Sequence, residues 1–193
     1  IDHSNSHSSF KDKVSMSNLC QEITLPTTPI KGIDDPDGEI ALCILSAINV
    51  GAIGNLNELE TLCDLSVRAL DEIIELQDYP VKAAEVSTKS RRSLGIGYIG
   101  LAHYLAKNGV KYSDPKAWEL VDRLSEAFQY YLLRASCDIA EEKGKCSAFD
   151  RTKYADGLLP IDHYKKEVDE IVVHKQRMAC LLYTSDAADD PYG

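Results

Sequence analysis

The run Glu39-Ile-Ala-Leu-Cys-Ile-Leu-Ser-Ala-Ile-Asn-Val50 restricts the fold of this chain more than any other stretch. It is almost continuously apolar, yet far shorter than the roughly 20 residues of a membrane helix. Strands that are apolar on both faces are buried on both, and parallel sheets produce them because their connecting helices cover the sheet above and below. The residues that follow supply such helices. Asn57 opens one in a capping-box pattern, its side chain placed to accept from the backbone N–H near Glu60 while Glu60 reaches back. Leu59, Leu62, Cys63, Val67, Leu70, Ile73 and Ile74 form its apolar face, and Pro80 stops it. Arg92 to Gly97 reads as a short strand. Tyr98 to Lys107 reads as a helix with Ile99, Ala102 and Leu105 inward, closed by Asn108-Gly109. Asp114, with Pro115 at the first helical position, starts a long helix. Trp118, Val121, Leu124, Phe128, Tyr131, Leu132, Ala135 and Ile139 are its stripe, and Gly144 ends it. A last helix is expected from Asp162 to about His174. Strand, helix, strand, helix in alternation indicates an α/β architecture with a mainly parallel sheet.

Ahead of that core the chain is irregular. Residues 1–17 are polar and rich in Ser and His. Residues 18–25 alternate in character and read as extended. Pro26-Thr-Thr-Pro29 and Gly32 to Gly38 are turn-rich. The opening Ile1-Asp2-His3-Ser4 has no Met and no charged-then-apolar leader, and reads as the interior of a longer chain. At the other end, Cys180-Leu-Leu-Tyr-Thr-Ser-Asp-Ala-Ala-Asp189 resembles a translated sequencing adapter. Residues 180–193 are therefore expected to be a foreign tail, the alternative being a genuine short acidic one, and residues 1–179 the domain proper.

The 193 residues, 44% hydrophobic, suffice for one domain with a core. A net charge of −10 argues against a nucleic-acid partner, which needs a basic face, but leaves room for a small phosphorylated substrate at a local site. No membrane span is present in the sequence. The six cysteines, at 20, 43, 63, 137, 146 and 180, form no C-x-x-C pair and no zinc-finger spacing. A reducing, cytoplasmic setting is expected, with most thiols acting as small buried apolar groups.

Chemistry concentrates in Ser17-Asn-Leu-Cys-Gln-Glu22. In an extended backbone Asn18, Cys20 and Glu22 project to one side, and Leu19, Gln21 and Ile23 to the other. An amide that donates and accepts, a thiol, and a carboxylate able to take a hydroxyl proton suit a polyol such as ribose. The residues alone are better read as an ordinary strand with one buried Cys and two polar residues at its ends.

The stretch Ser17-Asn-Leu-Cys-Gln-Glu-Ile23 resembles the radical-cysteine motif of class I ribonucleotide reductase large subunits. Further segments match that family in order: Gly38-Glu-Ile-Ala-Leu-Cys43, Leu45-Ser-Ala-Ile-Asn49, Val67-Arg-Ala-Leu-Asp71, Gln77-Asp-Tyr-Pro80, Arg91-Arg-Ser-Leu-Gly-Ile-Gly97, Gln129-Tyr-Tyr-Leu-Leu133 and Leu159-Pro-Ile-Asp162. Asp2-His-Ser-Asn5 and His7-Ser-Ser-Phe10 fit as well. The resemblance implies part of a ten-stranded α/β barrel, with Cys20 at the tip of an extended finger loop. It implies that Cys20 becomes the thiyl radical that removes the ribose 3′ hydrogen, that Glu22 deprotonates the 3′ hydroxyl, and that Asn18 holds the ribose hydroxyls. Cys43 is implied as half of the dithiol that reduces the 2′ position, its partner lying upstream. The implied substrate is a ribonucleoside diphosphate. The implied partners are a second large subunit, a radical-generating small subunit that holds the metal, and thioredoxin or glutaredoxin. ATP and dNTP effectors would bind elsewhere in the full chain, no metal or other cofactor is expected in this segment, and the segment alone is not expected to turn over.

Rival readings exist. Gly95-Ile-Gly97-Tyr-Ile-Gly100 is a literal G-x-G-x-x-G that would suggest a dinucleotide-binding oxidoreductase. The polar Ser87-Thr-Lys-Ser-Arg-Arg-Ser93 before it is a poor strand, and the glycines are better read as permitting tight strand-to-helix packing. Cys20 with His3 or His7 would suggest a cysteine hydrolase, but nothing arranges a third orienting group. A non-catalytic helical scaffold is the third reading. His103, His163 and His174 read as isolated helix residues, and Glu141-Glu142 as a solvated face.

Overall fold

A computed structural model describes residues 9–160 and 162 of the chain. Two strands, β1 (Ile44–Asn49) and β2 (Leu94–Ile99), pair in parallel, with Ile44 opposite Leu94 and Asn49 opposite Ile99. A parallel pair needs a crossover, and two helices make it: α1 (Glu58–Leu76) and α2 (Lys82–Arg91). After β2 come α3 (Leu101–Lys107) and the long α4 (Pro115–Lys143), then 3-10 turns at Phe149–Arg151 and Tyr154–Asp156. The α/β order read from the sequence is present. No helix among the described residues is long and apolar enough to cross a membrane. The expected helix from Asp162 to His174, and the tail from Cys180, lie outside the described residues.

Several expectations need correction. The apolar run yields a strand of only six residues, because its start bonds elsewhere: Glu39 bridges Thr28 and the Ile40 N–H donates to the Ala83 carbonyl. Nor are both faces covered in these residues. Ile48 is buried against the helices, whereas Leu45, Ala47 and Asn49 face outward. α1 starts where expected, but Asn57 makes no side-chain cap. Glu60 is drawn instead to Arg134 at 2.6 Å, and the end is closed from outside, Glu58 Oε1 accepting from the Gly54 N–H. Ile73 is exposed rather than inward.

α2 has no counterpart in the sequence reading. Its inner face is Ala83, Ala84, Ser87, Thr88 and Arg91, too small and polar to register as an apolar stripe. The next helix starts at Leu101, not Tyr98, because β2 runs on to Ile99 and Gly100 turns the corner at φ 80°. Tyr98 and Ile99 are therefore strand residues, and Tyr104 and Leu105, not Ile99 and Ala102, point inward. α4 begins and ends as expected, at Pro115 and before Gly144, but Trp118 is 74% exposed and outside the stripe.

The main core gathers Ile48 and Val50 of the β1 region, Leu59 and Cys63 of α1, Tyr104 and Leu105 of α3, and Leu124 and Phe128 of α4. Tyr98 meets Phe128 edge to face, with ring centroids 5.4 Å apart. A second cluster joins Val67 to Ala135 and Ile139. Ion pairs set the direction of packing. Glu60 meets Arg134, Arg68 meets Glu142, and Asp71 and Glu72 meet Lys143. Partners ascend together in sequence, so α1 and α4 run parallel, as helices that follow parallel strands do. The exposed pairs contribute little energy individually, while Asp71 is buried; the order of the pairs fixes register. Glu142, read as a solvated residue, thus has a specific role, gripping Arg68 through both carboxylate oxygens at 2.6 and 2.7 Å.

Leu124 is fully buried at the centre of this packing. Leu124→Ala is expected to lower unfolding stability by about 2–5 kcal/mol, whereas Trp118→Ala should change it by less than about 0.5 kcal/mol. Urea-unfolding midpoints of the two variants check this contrast.

Candidate active site

The chain before β1 has two isolated bridges and no other regular pairing among its described residues, so side chains must hold it. Phe10 bridges Thr152, with Lys11 N–H donating to the Arg151 carbonyl at 2.8 Å and Lys153 N–H to the Ser9 carbonyl at 2.7 Å. Thr28 bridges Glu39 through backbone hydrogen bonds of 3.0 and 3.1 Å. Arg91, from the last turn of α2, joins these two anchor points. Its side chain is 2% exposed. Nη2 donates to both Glu39 carboxylate oxygens at 3.0 and 2.8 Å, and Nη1 donates to Asp12 at 3.0 Å. Arg151 adds a second guanidinium on Asp12 at 2.9 Å, Thr28 Oγ1 donates to Glu39 at 3.0 Å, and the Phe10 ring lies 4.8 Å from the Arg91 carbon. Burial pushes both carboxyls up. Arg151 and Arg91 at Asp12, and Arg91 at Glu39, outweigh it and hold both below the ordinary carboxylate range.

The segment so tethered carries Asn18, Cys20 and Glu22. It is not extended there. The Gln21 N–H donates to the Asn18 carbonyl at 3.1 Å, and Gln21 itself sits at φ 63°, so residues 18–21 form a turn. The Asn18 side-chain oxygen accepts from the Ile23 N–H at 3.0 Å, and Ser17 Oγ donates to the Ile23 carbonyl at 2.9 Å. Local side-chain bonds of this kind compete with strand formation. The alternation that would project the three residues to one side therefore does not apply. Asn18 is half-buried and closes the neck of the loop, while Leu19, Cys20, Gln21 and Glu22 are exposed at its tip.

Cys43 stands just before β1, half-buried. Burial pushes its thiol up, and the negative charge of Glu22 adds to the effect. The structure thus brings Glu22 into the electrostatic neighbourhood of Cys43, and leaves Cys20 at the tip of the same loop. Among the other described cysteines, Cys63 is fully buried in the core, its thiol pushed up by burial to about 11; burial raises Cys146, and burial together with the charges of Asp138 and Glu141 raises Cys137.

The G-x-G-x-x-G glycines do not form a phosphate loop. Gly95 and Gly97 lie inside β2, and only Gly100 is at a corner. A Cβ on Gly95 would press on Leu45 and Cys43 of the neighbouring strand region, so strand-to-strand packing, not strand-to-helix packing, needs it. A Cβ on Gly100 would collide with Asn49 Oδ1. The histidines proposed for a hydrolase, His3 and His7, lie outside the described residues, as do His163 and His174; His103 is exposed on α3. Asp12, Glu39, Arg91 and Arg151 were given no role from the sequence; Glu39 and Arg91 lie inside motifs that match the family, Gly38 to Cys43 and Arg91 to Gly97, whereas Asp12 and Arg151 carry no such signal.

The family model described as "Ribonucleotide reductase, barrel domain" matches residues 1–187. This chain belongs to that family. It is 59% identical over 174 residues to the ribonucleoside-diphosphate reductase subunit alpha of Buchnera aphidicola subsp. Schizaphis graminum, and 57% identical to that of Haemophilus influenzae. The ribonucleoside-diphosphate reductase 1 subunit alpha of Escherichia coli is 53% identical. Each match takes in 89% of this chain and 23% of the relative, so the chain spans about a quarter of the curated relatives' length. Membership of the ribonucleotide reductase barrel family displaces the dinucleotide and hydrolase readings.

Arg91→Met takes the buried Glu39 carboxylate's main partner, leaves Asp12 with Arg151 alone, and is expected to lower stability by about 3–5 kcal/mol at neutral pH. Glu39 and Asp12 have depressed pKa values in the folded chain, so the clamp's contribution is present above the ordinary values of 4.5 and 3.8. It is lost as pH falls through the lower folded values. The stability gap between Arg91→Met and the parent should therefore narrow on acidification, which a pH series of urea midpoints measures. In the 193-residue chain, iodoacetamide should label Cys20 first, Cys43 later and Cys63 last, as read by peptide mass spectrometry.

Proposed function

We propose that this chain is part of the catalytic alpha subunit of a ribonucleoside-diphosphate reductase, which converts ribonucleoside diphosphates to 2′-deoxyribonucleoside diphosphates for DNA synthesis. The supporting observation is the family match over 1–187, combined with Asn18-x-Cys20-x-Glu22 on a tethered loop whose Glu22 faces the Cys43 thiol electrostatically. In this reading β1 and β2 are two strands of a ten-stranded barrel. The loop around Cys20 is the finger that enters it, and the rest of the barrel encloses a tip that is exposed in this piece.

Cleaving a ribose C–H bond needs a radical whose own bond to hydrogen is of similar strength, and a cysteine sulfur meets that need. Cys20, as a thiyl radical, takes the 3′ hydrogen and later returns it. Glu22 accepts the 3′ hydroxyl proton. Asn18 contacts the ribose hydroxyls through the amide nitrogen, its oxygen being engaged by Ile23. The 2′ hydroxyl leaves as water. The two electrons and two protons of that reduction come from Cys43 and a second cysteine upstream, which end joined as a disulfide. The protein's part is to keep this site dry and positioned.

The radical comes from a smaller metal-containing subunit. Thioredoxin or glutaredoxin restores the dithiol, alpha subunits pair, ATP and dNTP effectors bind outside this segment, and the enzyme works in the cytoplasm. With the full-length subunit and its radical-generating partner, Cys20→Ser is expected to abolish deoxynucleotide formation and to leave nucleotide binding nearly unchanged. Substantial turnover by that variant would remove Cys20 from the chemistry.

A further inference from the structure

Gly95 is an anomaly in β2. It is absent from the positive-φ residues of the chain, so its backbone does not require glycine, and a glycine inside a strand weakens it by giving up side-chain packing. Something other than backbone conformation accounts for it. The register sets Gly95 opposite Leu45, and Cys43 lies one pleat before Leu45, on the same side of the sheet. A Cβ at position 95 would stand 2.9 Å from Cys43 Sγ and 2.5 Å from Leu45 Cδ2. The two contacts differ in kind. Leu45 is 60% exposed and its methyl is the end of a flexible side chain, free to swing. The Cys43 thiol has a single torsion and is half-buried, with the Glu22 charge acting on it. Gly97 makes the contrast: on the same strand and the same side, a Cβ there meets nothing within 4 Å.

We propose that Gly95 is a positioning residue for the Cys43 thiol, its missing side chain leaving the clearance in which Sγ rests. The inference stands on the reading of Cys43 as half of the reducing dithiol. A disulfide closes only when the two sulfurs approach to about 2.05 Å with a dihedral near 90°, and a thiol driven to another staggered rotamer, about 120° away, no longer meets that geometry. Gly95 therefore governs whether the dithiol can form its bond, while the nucleotide site is left as it was.

The test uses the full-length alpha subunit with its radical-generating partner. Gly95→Ala should lower kcat by about tenfold or more with KM for the nucleoside diphosphate within about twofold, since binding is untouched. Thermal unfolding of Gly95→Ala in the parent and Cys43→Ala backgrounds then isolates the contact. The loss in Tm caused by Gly95→Ala should shrink by about half or more when Sγ is absent. If Gly95→Ala alone does not fold, the double variant should recover folding. An equal Tm loss in both backgrounds, no recovery of folding in the double variant, an unaltered kcat, or restoration of kcat by Leu45→Ala would each overturn the assignment. Turnover retained by Cys43→Ala would instead sink the redox reading of Cys43, and the thermal cycle would still judge the clearance on its own.

Discussion

One guanidinium organises the irregular stretch that precedes β1. Arg91 is nearly inaccessible to water, yet it holds Glu39 and Asp12 from two stretches that no sheet ladder joins. Burying such charges is expensive unless each is paired and hydrogen-bonded, and here each one is. Glu39 has Arg91 and Thr28; Asp12 has Arg91 and Arg151. The planar fork of arginine makes this possible, since it can bind one carboxylate through two nitrogens and present a third to another. A loop held at Asp12 and at Glu39 is held at both ends, and Cys20 lies between them.

The next residue performs a complementary task. Arg92 takes a left-handed backbone conformation at the end of α2, φ 48°, which turns its side chain away from that of Arg91. It reaches Asp71 at 2.6 Å and Glu75 on α1. Asp71 also receives Lys143 from the end of α4 at 3.1 Å. Two consecutive arginines thus tie the tethered loop to the parallel helices through one helix terminus. This accounts physically for two of the segments that carried the family resemblance, Val67 to Asp71 and Arg91 to Gly97: they supply the two ends of one ion pair.

The elements legible in the sequence were those that bury a continuous apolar face. α1 and α4 were found because Leu59, Cys63, Val67 and Leu124, Phe128, Ala135 recur at helical spacing. Pro115 and Gly144 were reliable because ring geometry and a glycine end act locally. What escaped depends on distant partners. α2 hides behind Ser87, Thr88 and Arg91, whose burial is tolerable only because of Glu39 and Asp12. The capping box at Asn57 failed because Arg134, far along the chain, competes for Glu60. The extended reading of 18–25 fails over 18–21, where Asn18 accepts from Gln21 and Ile23 and the chain turns. Alternation rules assume a backbone satisfied by neighbouring strands, and this stretch satisfies itself. For the site, Cys20, Asn18, Glu22 and Cys43 were named from motif resemblance, whereas the Arg91 clamp carries no local signature.

The protonation of Cys43 bears on which chemistry suits it. A cysteine that attacks a carbonyl must be a thiolate, so such sites place cations or helix N-termini beside the sulfur and lower its pKa. Cys43 has the reverse surroundings: partial burial and the carboxylate of Glu22, both of which keep the proton on sulfur. A thiol that remains protonated at neutral pH is a poor nucleophile. It is, however, suited to a reduction in which each sulfur must deliver a proton along with an electron. In the function proposed above, Glu22 would serve both neighbours from one position on the loop, as a base toward a sugar hydroxyl and as a charge that preserves the hydrogen on Cys43. The two demands are compatible because a carboxylate that has taken up a proton loses its charge. On that proposal, a proton taken up by Glu22 would remove the charge that raises the Cys43 thiol and so ease its deprotonation when the dithiol reacts.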